Sequence, residues 1–501
     1  MGKKFPARLL MSALILALFA ITAQAFDFKK LKKSITEITL DNGLRVIIME
    51  RHDAPVASFL TWADVGSADD PKGYTGLAHM FEHMAFKGTT TLGTKNIEEE
   101  LKLIAVEDSI FMELRAEKNM KAGYDSARVA SLTEAYEAAR EASFELVEPN
   151  KFLNVVEREG GVGLNAFTNR DATVYYFSLP SNKVELWLAM ESERFLNPVL
   201  REMYKERDVV AEERRMSTES SPVGKLVEEF LAIAFKTHPY GIPTIGHISD
   251  INYYSRNEAK DFFQKYYGPS NLTVCIVGDV NTKEVIKLVK KYWDRIEYRP
   301  KPERIATVEP EQNGERRVTV EDASQPIYIA GWHVPSITHP DRPALDALTD
   351  YLGQGRTSLL YKNLVKEKKA ATQVGAFAGF PGDKYPTLVA VYAFVSTGHT
   401  NQECETEIFK EIEKIKNELL TPQELAGIKA RAKAAFINQL NSNTGFALQL
   451  AGTNALWGDW REMFNDLDRI NQVTAEDIQR VAKEYFIKRN RVVGMIETTE
   501  S

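Results

Sequence analysis

The stretch His79-Met80-Phe81-Glu82-His83 decides how this 501-residue chain is read. On a helix, His79 and His83 stand four residues apart, so both imidazoles leave the same face. That geometry suits two corners of a tetrahedral zinc site. Glu82 sits next to the pair without being needed as a ligand, and its carboxylate can take a proton from a metal-activated water. The helix is expected from about Thr75 to Phe86, after the turn-rich Asp69-Asp70-Pro71-Lys72-Gly73 and before the stop at Gly88.

Outward from this helix, the upstream pattern predicts a strand at Leu44–Met49, and Ala57–Val65 is a second apolar stretch that ends at Gly66. Downstream, residues 97–157 are rich in Glu, Ala, Leu, Lys and Arg and read as a helical hairpin with polar faces, a solvated surface insertion. Thr173–Leu179 alternates as a strand, Lys183–Phe195 and Glu202–Thr218 read as helices, and Asn271–Val277 is an apolar strand with a helix at Thr282–Trp293 behind it. Residues 298–317, rich in Pro, Glu and Arg without apolar periodicity, read as an interdomain linker. The pattern then restarts: strand Ile327–His333, helix Arg342–Leu352, and strands near Ala370–Phe380 and Thr387–Val395. Thr421-Pro422-Gln423-Glu424 and Thr474-Ala475-Glu476-Asp477 each open a helix with a capping box. The two halves share a strand–helix rhythm, so two similar α+β domains are expected, one with the metal motif and one without.

Two histidines leave a zinc site short of a ligand. Glu206 and Glu213 lie seven residues, or two helical turns, apart and face the same way. One of them can complete the site while the other orients a histidine.

Several segments, in order, resemble the pitrilysin, insulinase and mitochondrial processing peptidase family of inverzincin zinc peptidases. They are Gly76 to Thr89 around the metal motif, Leu164-Asn165-Ala166-Phe167-Thr168 followed by Thr173 to Tyr176, Glu206 to Glu213, His238-Pro239-Tyr240-Gly241, and Val277-Gly278-Asp279-Val280. The resemblance runs from about Ile38 to Ile496. It implies His79, His83 and Glu213 as ligands of one zinc ion per chain, Glu82 as general base, and Glu206 as the carboxylate behind a ligand histidine. Glu212 would point to another face of the helix. Asn165 and Ala166 become backbone-binding positions for an extended peptide. The implied fold is α+β, with two similar domains, each a mostly antiparallel sheet flanked by helices, together forming half of a clamshell. The implied activity is zinc-dependent endopeptidase cleavage of unfolded peptides or small polypeptides. A non-catalytic peptide-binding scaffold subunit is the alternative.

Two departures from the family pattern stand out. The interval from His83 to Glu213 is 130 residues, longer than usual, and the helical stretch 97–157 accounts for the excess. The Arg and Tyr pair that the family often carries in its non-catalytic domain is missing from Leu364–Val374, where Thr372 falls near the tyrosine position. This leaves room for a sister chain to supply the missing groups, so a homodimer or a heterodimer with a sister peptidase-like chain is expected.

Hydrophobic content of 44%, charged content of 27% and a net charge of −7, without a long basic stripe, make nucleic acid an unlikely partner. Residues 1–25 read as a secretory signal: Lys3, Lys4 and Arg8, an apolar run from Leu9 to Ile21, then Ala23-Gln24-Ala25 before the cleavage point. A periplasmic, bacterial location and a mature chain without a membrane span are expected. The domains are then 26–297, catalytic, with its insertion at 97–157; the linker 298–317; and 318–501, non-catalytic. With only Cys275 and Cys404 there is no disulfide framework, and Cys275 reads as a buried strand residue.

Overall fold

The computed structural model describes residues 28–120 and 123–499; the signal segment lies outside them. Two sheets organise the chain. The first contains β1 (Ile35–Thr39), β2 (Arg45–Glu50), β3 (Val56–Ala63), β4 (Val162–Thr168), β5 (Thr173–Pro180) and β6 (Leu272–Gly278) in the order β1-β2-β6-β3-β5-β4. The second contains β7 (Arg316–Asp322), β8 (Ile327–Val334), β9 (Ala371–Phe380), β10 (Thr387–Val395) and β11 (Arg491–Thr498) in the order β7-β11-β8-β10-β9. Without β1 the two orders are identical. In each half the last strand slots between the first two, parallel to the first and antiparallel to the second. Two similar α+β domains with mostly antiparallel sheets are therefore present, as the repeated rhythm implied.

Strand β6 is buried along its whole length, which explains its uninterrupted apolar sequence. One face of the first sheet, including Val46, Phe59 and Val274, packs on the helices of its own half. Its other face, through Leu60, Trp62 and Cys275, is covered by Phe446, Leu450 and Trp460 from the second half. The second sheet mirrors this. Ala330, Trp332 and Val391 meet their own helices, while Ile329, Leu388 and Val492 receive Leu226 and Phe230 from the first half. Cys275 and Cys404 are buried and unpaired. Asp171 ties the halves further, accepting from the Tyr240 hydroxyl at 2.5 Å and from the backbone N–H of Asp383 and Lys384 at 2.6 and 3.1 Å.

The helices that bear on the site are α1 (Leu77–Met84), α2 (Ile97–Lys118), α3 (Ser126–Phe144), α4 (Met203–Arg214), α5 (Pro222–Ala234), α6 (Arg342–Gly353) and α7 (Asn443–Trp457). The exchanged helices are α5, on the second sheet, and α7, on the first. No helix among the described residues is long and apolar enough to cross a membrane.

Two expectations need correction. The hairpin α2–α3 is docked, not merely solvated, and its carboxylates do the docking. Glu100 is buried and meets the buried Arg201 at 2.7 Å, and Glu107 meets the buried Arg256 at 2.9 Å, with Asp108 on the same guanidinium. Phe111 and Tyr136 then pack on Tyr204. A polar face reads as solvent-facing when its charge partners lie a hundred residues away. Second, β7 begins at Arg316, inside the stretch read as linker. It is an edge strand whose Val318 and Val320 are only half-buried, so it carries little apolar signal.

Arg201 also donates to the carbonyls of Lys87, Thr89 and Leu92, the loop that leaves α1. Replacing Glu100 by Ala strands a buried guanidinium and should cost about 3 kcal/mol. A lowered denaturant midpoint, together with faster limited proteolysis within 97–144, is the expected result.

Candidate functional site

Helix α1 is short and buried on most sides: Leu77, Ala78, Met80, Phe81 and Met84 join the core, and Phe81 stacks among Phe262, Phe263 and Tyr267. Its start is fixed by Asp70, whose carboxylate accepts from the N–H groups of Gly76 at 2.7 Å and Ala78 at 2.9 Å. Gly76 has φ +92°, and a Cβ there would lie 2.5 Å from the Ile245 carbonyl oxygen, so the close approach requires glycine. Near the other end the Tyr175 hydroxyl donates to the Phe81 carbonyl at 3.1 Å.

Helix α4 crosses α1 and brings its carboxylates to the imidazoles. Nε2 of His79 lies 3.7 Å from one Glu213 oxygen, and Nε2 of His83 lies 3.2 Å from the other. The donor atoms of His79, His83 and Glu213 all fall within 4.8 Å of one another, a set that could hold a metal ion. A tetrahedron with bonds of ~2.0–2.1 Å has edges of about 3.3 Å, so the three groups would have to draw closer to hold zinc. Glu206, two turns earlier, faces the back of His83: its oxygen is 3.5 Å from Nδ1, and Lys87 Nζ holds its other oxygen. Glu82 stands 4.0 Å from His79 Nε2. Glu212 turns outward and pairs with Arg215 at 2.8 Å. Arg214, buried, fixes the end of α4 on the Gly246 carbonyl at 2.7 Å and on Glu228 at 2.9 Å.

The electrostatics divide these groups. Burial pushes His79 down to about 4, outweighing the nearby Glu213 charge. Burial acts on His83 as well but loses to the hydrogen bonds its ring donates to Glu206 and Glu213, which hold it up at about 9. The hydrogen bond with His83 keeps the Glu213 carboxyl below its ordinary range. Burial raises Glu82. Without metal, therefore, the cluster is one neutral imidazole, one imidazolium and an ionised carboxylate at neutral pH.

Strand β4 is an edge of the first sheet, and its outer side has no partner strand among the described residues. Asn165 pairs with Tyr176 of β5 next to a register shift, and its side-chain oxygen accepts from the Ala166 N–H at 2.9 Å. Two cavities meet at Glu82. One, of about 400 Å³, runs between His83, Glu206, Leu164, Asn165 and Ala166. The other, of about 390 Å³, lies beyond His79 and Glu213 and is walled by Phe167, Val227 and Leu231. The structure thus brings together His79, Glu82, His83, Glu206, Glu213, Asn165 and Ala166. Sequence reasoning gave no role to Asp70, Lys87, Arg201 or Arg214. Of these only Asp70 carried a signal, as a helix-capping residue type just ahead of the motif. Thr372 lies on β9, the edge of the second sheet, and donates to the Phe394 carbonyl.

The proteins this chain is similar to are peptidases. Residues 45–114 and 144–247 match the model of the insulinase family, peptidase family M16, and residues 253–432 match the family's inactive domain. The gap in the first match falls within the α2–α3 hairpin. The zinc protease PqqE of Helicobacter pylori is 32% identical over 465 residues, covering 90% of this chain and 89% of that protein. An uncharacterized zinc protease of Mycobacterium leprae is 24% identical, covering 91% and 90%. Among solved structures, a protease from H. pylori superposes with a TM-score of 0.75 at 28% identity, covering 92% of this chain and 99% of that one. The periplasmic protease PqqL of Escherichia coli shares the fold, with a TM-score of 0.69 at 16% identity, over 93% of this chain and 48% of that one.

Metal binding at this cluster needs both imidazoles neutral. His79 already is, whereas His83 must lose the proton it holds up to about 9. Below that pH, apparent zinc affinity should rise roughly tenfold per pH unit, with about one proton released at pH 7. Calorimetric titration in buffers of different ionisation enthalpy reads both quantities; a pH-independent affinity would mean that His83 is already neutral in the metal-free protein.

Proposed function

The chain belongs to the insulinase family of peptidases, M16, and from that premise we propose that it is a zinc-dependent endopeptidase acting on unfolded peptides and small polypeptides. The observation that carries this reading is the convergence of His79, His83 and Glu213 on one point beside Glu82. In it, His79, His83 and Glu213 hold one zinc ion per chain, and Glu206 orients His83 through Nδ1. When bound, zinc supplies Lewis acidity to the scissile carbonyl and acidifies the attacking water. Glu82 removes the proton from that water at its carboxylate and delivers it to the nitrogen of the leaving amine. Its burial raises its proton affinity and suits a group that must hold a proton between two transfers.

The substrate backbone adds to the open edge of β4 at Asn165 and Ala166. The cavities on either side of Glu82 then receive the side chains flanking the cut bond. In the same reading residues 26–297 form the catalytic domain and the non-catalytic domain begins with β7 at Arg316, the linker ending before it, and residues 1–25 direct export to the periplasm. The second sheet contributes no metal cluster among the described residues, and Thr372 stands where a substrate-holding tyrosine is expected. A homodimer, or a heterodimer with a sister chain, would close the clamshell and bring such groups to the bond.

The match of residues 253–432 to an inactive domain favours one second reading, a scaffold that grips peptides without cutting them. Zinc content and cleavage of a quenched unfolded peptide separate the two. Residues 26–501 should carry about one zinc per chain in wild type and in Glu82→Gln alike, with kcat about 10²–10⁴-fold lower in the variant. Zinc in both proteins without cleavage, with or without a sister chain, would select the scaffold.

A further inference from the structure

The cavity beyond His79 and Glu213 carries a cation in its wall. Arg170, two residues past the end of β4, lines it together with Thr244. Arg170 is only 5% exposed. Its Nη1 donates to the Thr244 hydroxyl and, at 3.3 Å, to that of Ser67, while its Nε is sealed without a partner. The remaining nitrogen, Nη2, makes no hydrogen bond among the described residues and is not sealed, so its donors are left for the cavity. No ion pair forms at Arg170 among the described residues. The acids whose charge reaches it are committed elsewhere: Asp70 accepts from the N–H groups of Gly76 and Ala78, Asp171 from the Tyr240 hydroxyl and two backbone N–H groups, and Glu228 from Arg214. Burial lowers the guanidinium to about 10, which leaves it charged at neutral pH.

The two cavities that meet at Glu82 differ in this respect. In the one beside Asn165 the cation is Lys87, which Glu206 already holds. In the other, Arg170 stands without a carboxylate beside the apolar side chains of Phe167, Val227 and Leu231. A guanidinium placed in such a wall gains most from a ligand oxygen that completes its hydrogen bonds, and a ligand lacking that oxygen leaves a desolvated donor unpaired. Its charge favours a carboxylate over a neutral amide of the same shape. We infer that Arg170 is a specificity-determining residue, which selects a carboxylate on the side of the cut bond that enters this cavity, with Nη2 as the donor. The carboxylate belongs either to an acidic side chain or to the end of the substrate chain. The inference rests on the peptidase reading and deepens it, because it makes one side of the cleft selective for charge and the other not.

Quenched unfolded peptides that differ only by Glu or Gln, placed in turn at each position around the cut, test this with the zinc-loaded protein. At one position, on one side of the bond, kcat/KM should be about tenfold higher for Glu than for Gln. A second set of peptides ends close to the cut with either a free carboxylate or an amide. A preference for the free carboxylate there, without one for Glu in longer peptides, assigns the chain end as the source; the converse assigns the side chain. Arg170→Gln should bring the selective ratio close to one, and Arg170→Lys should keep part of it. Each ratio is taken within one protein, so it does not depend on how much of a variant folds. Cleavage of all peptides without any preference in wild type overturns the inference and leaves the peptidase reading standing. A preference that survives Arg170→Gln, as a carboxylate on the metal would, also overturns it. Failure to cut any peptide falls on the peptidase reading itself. The same pairs titrated into zinc-loaded Glu82→Gln then decide by affinity, where the carboxylate member should bind about tenfold tighter, and equal affinity overturns the role of Arg170 as well.

Discussion

The contact between α1 and α4 is the constraint the rest of the first half serves. One helix presents two imidazoles, the other two carboxylates two turns apart, and the four groups meet in a partly buried space. The pairing of His83 with both carboxylates draws the helices together, and contacts outside the cluster fix where they meet. Asp70 anchors the beginning of α1, Arg201 the loop that leaves it, and Arg214 the end of α4. Depth then separates two chemically identical side chains. The Glu213 side chain is 44% exposed and faces both Nε2 atoms, while that of Glu206 is 11% exposed and meets Nδ1 behind one ring.

Exchange of helices between the halves supplies stiffness at a larger scale. A sheet with one bare apolar face must cover it, and here each half covers the other's: α5 lies on the second sheet and α7 on the first. Helix α5 also carries Glu228, the partner of Arg214 at the end of α4. The packing of the second sheet is thereby linked through one helix to the position of Glu213, and the second half acquires a structural role at the histidine–carboxylate cluster of the first.

What the sequence made legible follows from the range of each signal. The motif on α1 and the two-turn spacing on α4 are local, as are the alternation of β5 and the capping boxes at Thr421 and Thr474, and all were readable. The expectation that Glu213 and not Glu206 joins the histidines needed the family resemblance, because spacing alone treats the two alike. Glu100 with Arg201, and Glu107 with Arg256, were not readable. Their partners lie 101 and 149 residues apart, and a buried acid looks in sequence like any solvated one. The same blindness turned a docked hairpin into an expected surface insertion. Strand β7 escaped for the opposite reason, its apolar positions being half-exposed.

The repeated topology allows a closer comparison of the halves. Helix α1 follows β3, the second of the five common strands, and α6 follows β8, its counterpart. On α1 the i, i+4 pair is His79 and His83, whose common needs a metal can meet. On α6 an i, i+4 pair is Arg342 and Asp346, joined at 2.8 Å, with Asp383 taking another guanidinium nitrogen at 2.6 Å. The second pair neutralises itself. Oppositely charged side chains at that spacing satisfy one another, leaving no lone pairs converging on a vacant point, whereas two imidazoles and a carboxylate do converge. The difference between a metal-competent half and a structural one therefore lies less in the backbone, which the halves share, than in whether the polar side chains on the equivalent helix complete one another or require a third party.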